Sequence, residues 1–219
     1  MIIYPESYRS NLLKYTRTAF NLVPEIESPR ILDVGCGTGL PSLCLAELTN
    51  GSIIGVDTNI AALKLFRDKI KKAGLEDRCE ALNQDIESLD FDPESFDIIW
   101  AEGSTAAIGF HKALRVLGRF LKADSFLVIH DDARGYTEKL TIAEKSRFLV
   151  FGFFLISKEV WWDEYYKHLD QNLPSATRVS PDTIYSLEAL EDEILKFKQA
   201  YQEYASVFFI LKKQHAVTL

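Results

Sequence analysis

Apolar positions along this chain alternate between two periods. Residues 7–22 carry Leu12, Leu13, Tyr15, Ala19 and Phe20 on one helical stripe, which runs through Pro24 and Pro29 into the apolar run Arg30–Val34, a predicted buried strand. Residues 35–39 predict a turn and residues 40–48 a short helix with Pro41 in its first turn. Residues 52–56 predict a second strand, ending at Asp57. The helical period resumes over residues 60–73 and stops at Gly74, a residue suited to a left-handed helix end. Residues 79–83 and 96–101 read as a third and fourth strand. Residues 110–121 place Phe110, Ala113, Leu114, Leu117 and Leu121 at helical spacing, and the apolar run 126–129 predicts a fifth strand at a sheet centre.

Strand and helix joined by short connections this many times predict an α/β fold, a doubly wound Rossmann-like and mostly parallel sheet. Its crossovers should be right-handed and its ligands should bind beyond the carboxyl ends of its strands. Past residue 135 the pattern loosens, with a helix over 136–147, a strand over 152–157 and a last strand over 205–211. No linker-like composition or repeat divides the chain, so a single domain over residues 1–219 is expected. Within it, residues 1–28 form an N-terminal helix or lid and residues 29–135 the ligand-binding core. Residues 158–204, a helical insertion before the last strand, form a cover whose Trp161, Trp162, Tyr165, Tyr166 and His168 need burial or a ligand.

Charge narrows the partners. The net charge is −7 and no run of Lys or Arg exceeds a pair, which disfavours extended nucleic acid. Cys36, Cys44 and Cys79 show no metal-ligand spacing and suggest a reducing, cytoplasmic setting without structural zinc. The first residues lack the basic and long apolar regions of a secretion signal, and the most apolar run, 148–156, is too short to span a bilayer.

The chemistry concentrates at Ile31-Leu32-Asp33-Val34-Gly35-Cys36-Gly37-Thr38-Gly39, where glycines in a strand-to-helix turn let backbone approach a ligand. A dinucleotide loop wants G-x-G-x-x-G/A, but the third position of that motif is Leu40 here. Asp33 just before the turn would repel a pyrophosphate and attract an ammonium or sulfonium.

With these residues the sequence resembles the class I S-adenosylmethionine-dependent methyltransferases, whose first motif is an acidic residue followed by G-x-G-x-G. The resemblance implies S-adenosylmethionine as cofactor, held by Asp33, Gly35, Cys36, Gly37 and Leu40. It implies a seven-stranded sheet whose last strand is antiparallel. It implies that Asp57, followed by Thr58 and Asn59, accepts hydrogen bonds from the ribose hydroxyls. It implies further that Asp85 accepts from the adenine amino group with Ile86 against the ring, and that Ala101 and Glu102 border the transferred methyl. The run Trp100-Ala101-Glu102-Gly103 followed by Ile108-Gly109-Phe110 resembles small-molecule methyltransferases of the quinone and sterol type, which implies a small-molecule acceptor of unstated identity.

Methyl transfer from a sulfonium is an in-line displacement in which positioning and water exclusion supply much of the catalysis. A hydroxyl or activated-carbon acceptor also needs a base; Glu102 is the first candidate, with His111 and Tyr166 after it. Arg9 and the N-terminal tyrosines read as a lid over the methionine carboxylate, against a plain surface helix. Cys36 reads as small filler rather than a nucleophile. Three alternatives stand beside this reading: a Mg²⁺-assisted O-methyltransferase using Glu102, Asp131 and Asp132, a nicotinamide-dependent oxidoreductase, and a non-catalytic S-adenosylmethionine-binding protein.

Overall fold

The computed structural model describes residues 1–215, so residues 216–219 of the expected domain lie outside the described residues. The chain opens with strand β1 (Ile2–Ile3) and helix α1 (Pro5–Arg9), and a 3₁₀ turn leads to α2 (Leu13–Leu22). The alternating core follows as β2 (Arg30–Val34), α3 (Leu40–Leu48), β3 (Ser52–Asp57), α4 (Ile60–Ala73), β4 (Cys79–Asn83), β5 (Phe96–Glu102), α5 (Phe110–Gly118) and β6 (Leu121–Asp132). After it come α6 (Tyr136–Lys145), β7 (Phe148–Ile156), α7 (Lys158–Trp161), α8 (Lys167–Asn172), β8 (Arg178–Val179), α9 (Leu187–Ala200) and β9 (Ser206–Lys213). Helix α4 shows the local logic. Asn59 accepts from the Ala62 amide at its start, and Gly74 turns left-handed at its end, with φ 65°.

Seven strands form one sheet in the order β4-β3-β2-β5-β6-β9-β7, with β2 to β6 parallel and β9 antiparallel to both its neighbours. Side chains of β2 alternate between the two faces of this sheet. Ile31 joins Leu45, Phe66, Trp100 and Phe208 on one face, and Leu32 joins Ile99, Leu117 and Phe209 on the other. Helices on both faces bury the strands, which is why those strands read as continuous apolar runs.

Three expectations shift. Helix α5 stops at Gly118, because Leu121 already pairs with Phe96 at the start of β6. Strand β6 begins at Leu121 rather than at 126, its first part hidden in the sequence by the polar Lys122, Asp124 and Ser125. Strand β7 begins at Phe148 rather than at 152. It is a sheet edge whose Leu149, Phe151, Phe153 and Leu155 remain substantially exposed, so both of its faces are apolar and no alternation marked it. Among the described residues no helix is long and apolar enough to cross a membrane.

A third apolar cluster lies outside the sheet. Ile3 from β1 packs with Tyr165, Tyr166, Leu169, Leu173, Leu190, Ile194 and Phe197 of the insertion. The parallel pairing of β1 with β8, Ile2 opposite Arg178 and Ile3 opposite Val179, ties the two segments together, a contact the sequence pattern did not predict. The N-terminus and the insertion therefore build one cap over the carboxyl ends of the strands.

Candidate active site

Between the strand ends and the cap lies a cavity of about 590 Å³. Its floor is the glycine turn. Gly35, Gly37 and Gly39 all have positive φ, at 71°, 54° and 82°. At Gly37 a β-carbon would meet nothing within 4 Å, so the turn presents bare backbone to open space; at Gly39 it would lie 1.9 Å from the Phe66 ring of α4. Glycine thus serves ligand approach at one position and helix packing at the other.

Carboxylates make up nearly all the charged groups of the lining. Among the described residues, seven of them (Glu6, Asp33, Asp57, Glu102, Asp131, Asp132 and Glu193) face a single guanidinium, that of Arg9. Asp33 is buried and accepts from the Ser42 hydroxyl. Burial, offset in part by that bond, pushes its carboxyl up to about 7. Glu102 is likewise pushed by burial up to about 7, although its Oε1 accepts from Trp100 Nε1 at 2.7 Å and from Thr16 Oγ1 at 2.9 Å. Asp57 accepts from the Gly37 amide at 2.8 Å and from the Asn59 amide at 2.7 Å, which holds its carboxylate at the mouth of the turn.

The cap reaches this floor through polar contacts. Glu6 of α1 accepts from Thr38 Oγ1 at 2.6 Å and from Lys69 Nζ at 3.2 Å, which fastens the N-terminus to the glycine turn. Arg9 donates to Tyr165 Oη at 3.2 Å and to Glu193 at 3.1 Å and lies over the Tyr165 and Tyr185 rings, with its basicity raised by those partners against the cost of burial. Its charge is thus engaged within the cap. Tyr166 is buried, stacks on Phe197 at 3.8 Å and shares a 2.9 Å hydrogen bond with Tyr204 Oη; burial raises its phenol well above the usual range.

The predicted residues divide. Arg9, Asp33, Gly35, Cys36, Gly37, Leu40, Asp57, Asn59, Glu102 and Tyr166 all line the cavity. His111 does not: it is exposed on α5, whose buried face belongs to Phe110, Ala113, Leu114 and Leu117. Ala101 points into the core on the other side of its strand. The Thr58 side chain is exposed while its carbonyl receives Asn83, and Asp85 is exposed and accepts from the Glu87 amide at 2.8 Å. Neither they nor Ile86 reach the cavity. Glu102, Asp131 and Asp132 do not converge as a metal site, and no group of three His, Cys, Asp or Glu among the described residues does. Asp131 is taken by Lys139 at 2.9 Å and Asp132 by Arg134 at 2.8 Å. Cys36 is buried against Gly55 and Phe66, and burial raises its thiol, as filler requires.

Ser206 carried no signal in the sequence, and nothing there joined it to His130 or to Trp161, the first aromatic of the insertion. His130 Nε2 lies 2.8 Å from Ser206 Oγ, which also accepts from Trp161 Nε1 at 2.9 Å, and His130 Nδ1 lies 4.0 Å from Glu102 Oε2. Burial lowers this imidazole to about 3, so it is neutral at pH 7. The His-Asp-Asp run was visible, but nothing local brings Ser206 and Trp161 to it.

Residues 31–124 match the family model for a methyltransferase domain. A methyltransferase named GfsG from Streptomyces halstedii is 34% identical over 103 residues, 47% of this chain and 37% of that protein. The demethylmenaquinone methyltransferase of Bacteroides fragilis is 32% identical over 122 residues, 52% of this chain and 48% of that protein. The chain thus spans less than half the length of these curated relatives. Among solved structures, a methyltransferase from Geobacter sulfurreducens holding S-adenosylhomocysteine is similar with a TM-score of 0.72 at 17% identity, over 92% of this chain and 91% of that one. The [4+2]-cyclase SpnF is similar with a TM-score of 0.76 at 18% identity, over 93% and 81%. At such identities these likenesses concern the fold alone.

Proposed function

We propose that this chain, a class I methyltransferase fold with a methyltransferase-domain match over residues 31–124, transfers a methyl group from S-adenosylmethionine to a small molecule within the cavity beneath its cap. The observation that carries the reading is the pairing of an open glycine turn with three carboxyls, Asp33, Asp57 and Glu102, that no Lys or Arg among the described residues pairs, while the one guanidinium of the lining is already paired. That charge balance welcomes a sulfonium and opposes the pyrophosphate of a nicotinamide dinucleotide. Buried carboxyls held near neutrality store an electrostatic cost that a bound cation relieves, so the donor set fits the proposed cofactor.

The bare backbone of Gly37, with Gly35, Cys36 and Leu40 beside it, takes the cofactor's approach, and Asp57 takes the ribose hydroxyls next to Asn59. Thr58, Asp85 and Ile86, beyond the cavity, border the adenine end. Bound there, S-adenosylmethionine supplies an electrophilic methyl on a good leaving group. Glu102 faces the acceptor and takes its proton where the acceptor has one to lose. Trp161, Tyr166, Tyr204 and Phe208 wall off water and hold the acceptor. The three buried, unpaired thiols are consistent with a reducing compartment, which supports a cytoplasmic enzyme.

Two measurements test this. Calorimetric titration should show S-adenosylhomocysteine binding and NAD failing to bind; the reverse overturns the assignment. Labelled methyl should then pass from S-adenosylmethionine into a small-molecule extract. Binding without transfer would leave only the binding-protein reading, which matters because the fold is shared with a cyclase.

A further inference from the structure

The floor of the acceptor side holds one unused pair of polar atoms. Glu102 anchors Oε1 with two donors, Trp100 and Thr16, whereas its Oε2 accepts from none of the described residues and lies 4.0 Å from His130 Nδ1. The two residues are register partners on adjacent parallel strands, and both side chains are largely buried, 17% and 13% exposed. A separation of 4.0 Å is too long for a direct hydrogen bond. It suits one atom seated about 2.8 Å from each, at an angle near a right angle.

The protonation pattern of that pair follows from its neighbours. Trp161 Nε1 can only donate, so it fills a lone pair of Ser206 Oγ; the Ser206 proton then has His130 Nε2 as its one partner among the described residues. Nε2 is therefore the acceptor, and the ring proton sits on Nδ1, directed at the gap. The ring plane is held as well, stacked on Phe208 at 4.1 Å and 1° and on Trp161 at 6.0 Å and 6°.

We propose, resting on the methyl-transfer reading above, that His130 and Glu102 together form the acceptor site, and that the acceptor is an acidic hydroxyl, a phenol or enol, methylated on its oxygen. The gap offers one donor, Nδ1–H, and one acceptor, Oε2. A hydroxyl satisfies both and keeps a lone pair free for attack. A neutral amine that accepts from Nδ1–H has spent its only lone pair. A thiol bonds weakly to both groups, and a carboxylate brings no proton and meets the charge of Glu102. In the step, the O–H bond breaks with its proton passing to Glu102 Oε2 and its electron pair staying on oxygen. That oxygen bonds the methyl carbon, the carbon–sulfur bond breaks, and its pair leaves on the thioether sulfur. The Nδ1–H donor steadies the negative charge that grows on oxygen before the bond forms. A burial-raised Glu102 matches a phenol or enol better than an alkanol, whose proton is far less acidic. His130 and Glu102 touch the acceptor; Ser206 and Trp161 act through His130 as positioning residues.

The purified full chain, supplied with carbon-14-methyl S-adenosylmethionine and a small-molecule extract, provides the test, with labelled products identified by mass and fragmentation. The expected product is a methyl aryl or enol ether. On that acceptor, His130→Ala should lower kcat about 100-fold with S-adenosylhomocysteine affinity little changed, and should also lower the melting temperature because a buried ring stacked on Phe208 is lost. His130→Asn, whose amide can donate from the place of Nδ1, should recover kcat to within about tenfold of the parent. Ser206→Ala should cost about tenfold through loss of the tautomer. A labelled N-, S- or C-methyl product, or unchanged kcat in His130→Ala, overturns the inference and leaves methyl transfer standing. Binding of S-adenosylhomocysteine with no labelled product from any extract overturns methyl transfer, and this inference with it.

Discussion

The glycine-turn side of the cavity and its cap are held by different physics. On the floor, two short strand-end segments set the geometry: three left-handed glycines with Asp33 before them, and Asp57, 20 residues on at the end of the adjacent strand β3, closing onto the Gly37 amide. In the cap, distant segments meet. Ile3 packs among residues 165–197, Arg9 bridges to Tyr165 and Glu193, and Glu6 alone spans to Thr38 and Lys69. The difference teaches that the floor can be built before any ligand arrives, whereas the cap depends on an aromatic cluster of its own and on a small number of polar latches.

The sharpest way to break this contrast is to empty the cap. Phe197 stacks on Tyr166 at 3.8 Å and meets Tyr204 at 4.7 Å, so Phe197→Ala should destabilise the cap by about 3–5 kcal/mol. Hydrogen exchange should then quicken in residues 1–12 and 158–204 while β2 to β6 stay protected. Equal loss of protection in the sheet would mean that floor and cap unfold as one unit.

The floor has its own counterpart. Gly39→Ala puts a methyl into the Phe66 ring at a left-handed φ and should cost about 2–4 kcal/mol, read as a fall in melting temperature, with α3 and α4 losing exchange protection before the cap does. Little change in melting temperature would show that this turn is softer than its geometry implies.

Asp57→Ala should weaken S-adenosylhomocysteine by about 1–3 kcal/mol in calorimetry without altering exchange in the cap. Full retention of affinity would remove Asp57 from the ribose assignment. The smallest expected effect is a pH dependence. Asp33 and Glu102, both raised to about 7, carry protons below that pH and lose them above it, so the cavity gains negative charge as pH rises from 6 to 8. S-adenosylmethionine, which is charged at sulfur, should gain affinity relative to S-adenosylhomocysteine, which is not, by about tenfold over that range. Asp33→Asn should reduce the gain. A ratio flat with pH would show that neither carboxyl senses the sulfonium.

Much of the floor was legible in the sequence because its determinants are local. The period of the apolar runs marked β2, α3, β3, α4 and β4 almost to the residue, and Asp33 and Asp57 could be assigned to strand ends by their place in those runs. His111, a candidate base, stands outside the cavity, because the helical turn that buries Phe110 and Leu114 directs residue 111 to solvent. Strand β7, apolar on both faces, carried no alternation from which to find its start.

From its residues alone the chain determined that it would wind strands and helices alternately around an acidic, glycine-floored ligand turn, since apolar period, glycine conformation and strand-end charge act over a few neighbouring residues. Only the tertiary structure decided what stands opposite that floor. β9 enters antiparallel between β6 and β7, which sets Phe208 opposite His130 in register, and Ser206 comes within 2.8 Å of that ring. The pairing brings together residues 76 positions apart in the chain, and no local periodicity encodes a contact whose free energy arises only once the whole sheet has closed.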